Sequence, residues 1–190
     1  MENKTMTNRT SRIVACAASA MLLASASYSL ANPRVGGAAM FENKNIVENA
    51  VNSPIHTTLV AAVKAAGLVN TLASPGPFTV FAPTNLAFRK LPRGTVDTLL
   101  KPENKGQLTK VLTAHVVPGT ITSDGLKERI SSNGGSYSMK TASGDTLVAS
   151  MRFGQIFIKD ENGGTARITT DDVMQSNGVI HVVNDVLVPK

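Results

Sequence analysis

From Gly178 to Val188 the chain reads GVIHVVNDVLV, an apolar run almost unbroken by polar side chains. A strand with one wet face alternates apolar and polar residues, so a run that does not alternate suits a strand covered on both faces. The fold must therefore supply a layer on each side of this segment. His181 lies inside it.

A second apolar segment, FTVFAPTNLAF from Phe78 to Phe88, gives the other fixed point. Phe78 to Phe81 is β-rich, and Pro83 ends the strand because proline has no N–H to give to a ladder. Thr84 then stands where an N-cap belongs, which predicts a short helix through Asn85, Leu86, Ala87 and Phe88. Upstream, Ile46, Val47, Ala50 and Val51 have helical spacing. Leu59, Val63 and Ala66 form the face of a next helix capped by Thr57 or Thr58, and Gly67 terminates it with Leu68 folding back on Val63. Leu108, Val111, Leu112 and His115 lie at i, i+3, i+4 and i+7, one stripe of a further helix.

Beyond Gly119 short β-like runs alternate with Gly and Asn turns. Ser136 to Lys140, Thr146 to Ser150, Gln155 to Lys159, Thr165 to Thr169 and Gly178 to Val183 fit a meander, with Asn133-Gly134-Gly135 and Asn162-Gly163-Gly164 as its turns. Helices followed by strands predict an α+β domain that the early strand at Phe78 joins.

The segments at Phe78 to Phe88 and Ser176 to Pro189 resemble the two that open and close a fasciclin-like domain, and LTAHVVPG from Leu112 to Gly119 occupies the place of that family's central Tyr-His motif. Ala114 stands where the family has its tyrosine, and Asn184 where many members have aspartate. The resemblance covers Asn45 to Lys190. It implies a β-wedge or sandwich of two sheets with helices packed at one side, and a role in adhesion or matrix contact. Because Ala114 replaces the tyrosine, a partner read by that motif is not carried over. Fold and function remain separate inferences.

Residues 1–31 form a different object. Lys4, Arg9 and Arg12 make a positive head, Ile13 to Leu23 is apolar and small, and Ser29-Leu30-Ala31 offers the small residues that a signal peptidase reads. Cleavage after Ala31 is expected, and residues 32–44, rich in Gly and Ala, are expected to be a flexible leader. Serines and alanines dilute the stretch too far for a stable membrane span. Ile13-Val14-Ala15-Cys16 imitates a lipoprotein box, but Arg12 abuts it. Export would place the domain in the periplasm or the medium.

Cys16 is the only cysteine, so the exported part must be held by its core, without disulfides. Thiol nucleophiles, CxxC redox chemistry and cysteine-based zinc are excluded as well. The formal charge is +6, and cations concentrate in Arg89, Lys90, Arg93, Lys101, Lys105 and Lys110, read as one helical stretch. Such a patch attracts anionic polysaccharide or acidic headgroups, unless it is simply a solvated face. With no tryptophan and few aromatics, the chain offers no stacking platform for nucleic acid.

Catalytic equipment would have to use His56, His115 or His181. No histidine pair has zinc-site spacing, Ser176 lies in no GxSxG elbow, and no glycine loop precedes a helix with lysine. A histidine on an apolar face is read first as a brace whose neutral ring joins two backbone segments. Asn85, Asn177 and Asp185 are read likewise as structural, Asp185 bonding the backbone where the last strand kinks. No enzyme activity or cofactor is expected.

The leading reading is an adhesion or interaction module for a cell-surface or matrix protein or an anionic glycan. Its candidate surface is Thr113, His115, Pro118 and Thr120 together with Arg89, Lys90, Arg93, Lys101 and Lys105. An alternative is a carrier of a small apolar ligand or lipid, its cleft between sheet and helices lined by Met139, Met151, Phe153 and Phe157.

Overall fold

A computed structural model describes Met1 and residues 32–190. The expected signal peptide and its cleavage point lie outside the described residues. Those described after Met1 form an α+β domain whose frame is a parallel pair of strands. Here β3 (Phe78–Pro83) runs beside β9 (Gly178–Val183), paired from Phe78 with Gly178 to Pro83 with Val183. All six residues of β9 are buried, as expected of a strand covered on both faces.

Around this pair the sheet extends in the order β4-β3-β9-β8-β7-β6-β5, where β4 is Val116–Pro118, β5 Ser136–Lys140, β6 Thr146–Arg152, β7 Gln155–Lys159 and β8 Thr165–Gln175. The two sheets implied by the family are two halves of this one ribbon, and β8 belongs to both. Its first part pairs β7 (Ile158 with Ala166) and its second pairs β9 (Val173 with Ile180), with bulges between Ile168 and Val173. Bulges bend a strand and increase its twist. Asp172, at φ 51°, sits in the second bulge. The ribbon curls until its outer strands meet at one end, where Ala142 N–H donates to Val116 O at 2.7 Å.

Helices α1 (Ile46–Asn52), α2 (Thr57–Ala66), α3 (Val69–Leu72), α4 (Asn85–Arg89), α5 (Thr95–Leu99) and α6 (Lys105–Ala114) cover one side. Residues from α1, α2, α3, α4 and α6 form a core with Val80, Ala82, Ile180 and Val182. The alternate residues Phe81 and Val183 face a second core inside the curl, closed by Leu126 and Ile130 of α7 (Ser123–Ser132). Because β3 and β9 feed both cores, their runs need not alternate.

Local signals explain the helix ends. Thr84 caps α4, accepting from Ala87 N–H at 3.2 Å. Gly67 ends α2 with φ 74°, and Leu68 N–H donates to Val63 O at 3.0 Å; a side chain at that φ would be strained. The start of α2 differs from expectation. Neither threonine caps it; Asn85 reaches across, accepting from Thr58 N–H at 3.0 Å and donating to Pro54 O and Thr57 Oγ1.

Three further expectations are corrected. Residues 32–44 are not an unstructured leader: β1 (Arg34–Val35) pairs with β2 (Ala38–Ala39), and Val35 and Met40 enter the helix-side core. Asn133-Gly134-Gly135 is no hairpin turn but the end of α7, with Gly135 N–H donating to Ile130 O. The cation-rich stretch is not one helix. It is divided among α4, α5, a 3₁₀ turn at Pro102–Asn104, and α6, because Pro92, Gly94 and Pro102 break it.

Candidate interaction surface

His115, which the sequence places both among the braces and in the candidate surface, is a brace and not part of the surface: it is 3% exposed. At the end of α6 its ring lies within reach of Val111 O, 2.8 Å from Nδ1, while Leu187 N–H donates to Nε2 at 2.9 Å. The second bond fixes the tautomer: Nε2 accepts, so Nδ1 carries the proton and donates to Val111 O. Burial lowers the pKa to about 4, against the opposing pull of the Val111 carbonyl and the Asp160 charge. The ring is a brace between α6 and the chain's end, and it is unavailable for contact.

His181 is a brace of the same kind. Its Nδ1 accepts from Asp172 N–H at 3.3 Å, which leaves Nε2–H to donate to Ile121 O at 2.8 Å. The ring stacks on Phe81 at 5.7 Å between centroids, and burial lowers its pKa. It joins β9, the β8 bulge and the loop before α7. His56, also with a pKa lowered by burial, meets Ser53 Oγ at 2.8 Å through Nδ1. Its Nε2 makes no hydrogen bond of good geometry, although the Ala82 backbone lies beside it. The three rings serve separate parts of the fold. Among the described residues, no three histidine, cysteine or carboxylate side chains are gathered to hold a metal ion.

Asparagines complete the internal bracing. Asn177 accepts from Ile46 N–H at 3.0 Å and donates to Leu72 O and Ser74 O, each at 2.8 Å, so one side chain secures α1 and the end of α3. The glycine after it is required by close approach, because a Cβ at Gly178 would stand 2.0 Å from Phe78 O. Asp185 departs from its expected backbone role and pairs with Lys90 Nζ at 2.9 Å, which also donates to Asn184 O.

What remains outside is the loop from Pro118 to Thr120 and the cations. Pro118 and Thr120 are exposed and Thr113 is half-buried. The loop backbone is pinned from within: Thr79 Oγ1 donates to Gly119 O at 2.7 Å and accepts from Ile121 N–H at 2.9 Å. Beside the loop opens a groove of about 410 Å³ whose walls include Pro118, Thr120, Arg129, Tyr137, Ser138 and Lys140. The last four escaped the sequence reading because the groove forms only where the curled ribbon brings β4 near β5. Arg89, Lys90, Arg93, Lys101 and Lys105 are exposed and are not part of this groove.

The carrier alternative loses its lining. Met139 is buried in the core inside the curl, Met151 is 40% exposed, and Phe153 is fully exposed at the β6–β7 turn. Apolar cavities elsewhere, under α1 and α2, measure about 40 and 30 Å³, room for a water molecule or two.

Taken together, fold and surface define a small α+β domain in which His115, His181 and Asn177 brace the interior and a polar groove and cations face outward. The chain belongs to the fasciclin domain family, whose model matches residues 54–189. This family is generally non-enzymatic. The chain is 44% identical over 155 residues to Protein sll1483 of Synechocystis sp., covering 82% of this chain and 79% of that protein. It is 34% identical over 172 residues to Immunogenic protein MPB70 of Mycobacterium bovis, covering 86% and 79%. Transforming growth factor-beta-induced protein ig-h3 of Sus scrofa is 37% identical over 131 residues, which is 69% of this chain but 17% of that protein. The fold matches a FAS1 domain pair from the insect cell adhesion molecule Fasciclin I, with a TM-score of 0.67 and 18% identity over 76% of this chain; the chain spans 50% of that structure. No helix among the described residues is long and apolar enough to cross a membrane.

Proposed function

We propose that this chain is an exported, non-catalytic adhesion or interaction module, released by cleavage after Ala31 into the periplasm or the medium. It binds a cell-surface or matrix protein or an anionic glycan through its outer faces. The observation that carries this reading is the commitment of His115 and His181, the histidines of the two HVV runs, to internal hydrogen bonds, while Pro118, Thr120 and the cations Arg89, Lys90, Arg93, Lys101 and Lys105 face solvent. Membership of the fasciclin domain family supports it.

The test uses residues 32–190 as a purified, fluorescently labelled protein added to cells and to extracellular matrix preparations at two salt concentrations. Saturable binding that weakens with salt is expected, since attraction between exposed charges fades beyond a Debye length of about 10 Å at 0.1 M. Absence of saturable binding to every preparation refutes the reading.

A further inference from the structure

We infer that the groove between the Pro118–Thr120 loop and β5 is a binding site for an acidic glycan, read through the carboxylate of a uronic acid. This deepens the interaction-module reading and rests on it. The groove forms between the outer strands of the curled ribbon, and its volume of about 410 Å³ falls within the usual range for small-ligand sites.

Its walls carry one sign of charge. Arg129 and Lys140 both line the groove, and among the described residues no carboxylate does. Arg129 is held ready by Tyr137: Nη1 donates to the phenol oxygen at 2.7 Å, and the guanidinium lies 5.2 Å from the ring centre. That bond uses one of five guanidinium N–H donors, and the planar fork suits bidentate binding of a carboxylate. Lys140 Nζ gives two donors to Thr146 Oγ1 and Gly144 O, which leaves its third for a ligand. The ammonium is thereby held at the rim as a point charge.

The remaining lining suits a sugar rather than a bare anion. Thr120 and Ser138 supply exposed hydroxyls, which both donate and accept as sugar hydroxyls do. Pro118 and the half-buried Tyr137 present apolar surface against which the C–H face of a ring can rest. The rim is also rigid before any ligand arrives. Gly119 N–H donates to Pro77 O at 2.9 Å, Thr79 holds Gly119 O and Ile121 N–H, and His181 holds Ile121 O. A site whose backbone is fixed in advance loses less ordering entropy on binding.

The experiment is calorimetry on residues 32–190 with an oligogalacturonate, its fully methyl-esterified form, and inorganic phosphate. Binding of the acid form is expected, with at least tenfold weaker binding of the ester and of phosphate. Arg129→Gln is expected to weaken the acid form at least tenfold and Thr120→Ala severalfold, while Arg152→Gln, at the end of β6 and outside the groove lining, leaves it unchanged. Thermal melts verify that each variant is folded, and Arg129→Lys, which keeps the charge and loses the fork, is expected to fall between wild type and Gln. Equal binding of acid and ester, phosphate binding as tight as the glycan, or indifference to Arg129→Gln overturns the inference. Cell or matrix binding that survives Arg129→Gln removes the groove from the function but leaves the module reading standing. Loss of all such binding by the wild type refutes the module itself.

Discussion

Acid should loosen this domain through its buried histidines, and His115 sets the scale. In the folded protein its pKa is about 4, against an ordinary value of 6.5. The cause is burial, which disfavours the charged ring; a proton added to Nε2 would also point at Leu187 N–H, which already donates to that nitrogen. Between those two values the unfolded chain binds more protons than the folded one, so stability falls as pH drops from 6.5 towards 4 and is insensitive to this group above 6.5. At about 1.4 kcal/mol per pH unit, His115 alone removes about 3 kcal/mol across that window. Domains are typically stable by only about 5–15 kcal/mol. His56 and His181 shift in the same direction and steepen the loss.

Urea unfolding followed by circular dichroism at pH 7.5, 6, 5 and 4 measures this directly. His115→Gln isolates the residue, since an amide cannot titrate. The variant is expected to be less stable at pH 7.5 by about 1–3 kcal/mol, the cost of leaving a buried group unpaired, yet to lose about 3 kcal/mol less than wild type on acidification. Other titrating groups are common to both proteins and cancel in the difference. Parallel pH profiles for the two proteins, or a wild-type profile that is flat from pH 7.5 to 5, refute the reasoning.

Three further outcomes are expected. Asn177→Ala orphans Ile46 N–H, Leu72 O and Ser74 O and lowers stability by about 3 kcal/mol or more, read as a shift in urea midpoint; a shift below about 1 kcal/mol removes Asn177 as a brace. Gly178→Ala drives a methyl group into Phe78 O, so the variant is expected to be largely unfolded by circular dichroism at 25 °C, and a native melt sinks the close-approach argument. Phe153 holds φ 52° in a two-residue turn before Gly154, fully exposed, where asparagine is preferred. Phe153→Asn should raise stability by about 0.5–1 kcal/mol, and a lower melting temperature contradicts the strain.

The parts of the fold legible in the sequence are those where burial writes a pattern. β9 was readable because both of its faces are covered, although the apolar run continues to Val188 and the strand ends at Val183, and the α2 terminator because Gly67 is needed by its backbone. The second half of β8 was not, since TTDDVMQ places two aspartates inside a strand that bulges to accommodate them. Helix α7 was missed because SDGLKERISS buries only Leu126 and Ile130 among its apolar residues, and Gly125 and its serines lower helix propensity; Thr122 followed by that i, i+4 pair was the available signal. The hairpin of β1 and β2 had a signal too, a Gly36-Gly37 turn flanked by apolar residues. Of the surface, Pro118 and Thr120 were found and the partners across the groove were not. Arg129 and Tyr137 are a hydrogen bond apart only because α7 ends where β5 begins, and no spacing rule reports which strands a curled ribbon brings together.

The histidine braces and the groove belong to one chain of contacts. His181, buried in β9, holds Ile121 O; Ile121 N–H is held by Thr79 of β3; and Thr79 in turn holds Gly119 O. The two strands that form the parallel frame therefore fix the backbone of the loop whose side chains, Pro118 and Thr120, point outward. Side chains on that loop can change without disturbing the core, because the bonds that position it are made by backbone groups on the loop side. The converse does not hold. A second proton on His181 would stand against Asp172 N–H, the donor to Nδ1, and the ring would have to shift, carrying Ile121 and the groove rim with it. Acid should consequently reach the rim through the interior, by way of His181 and the Ile121 carbonyl it holds.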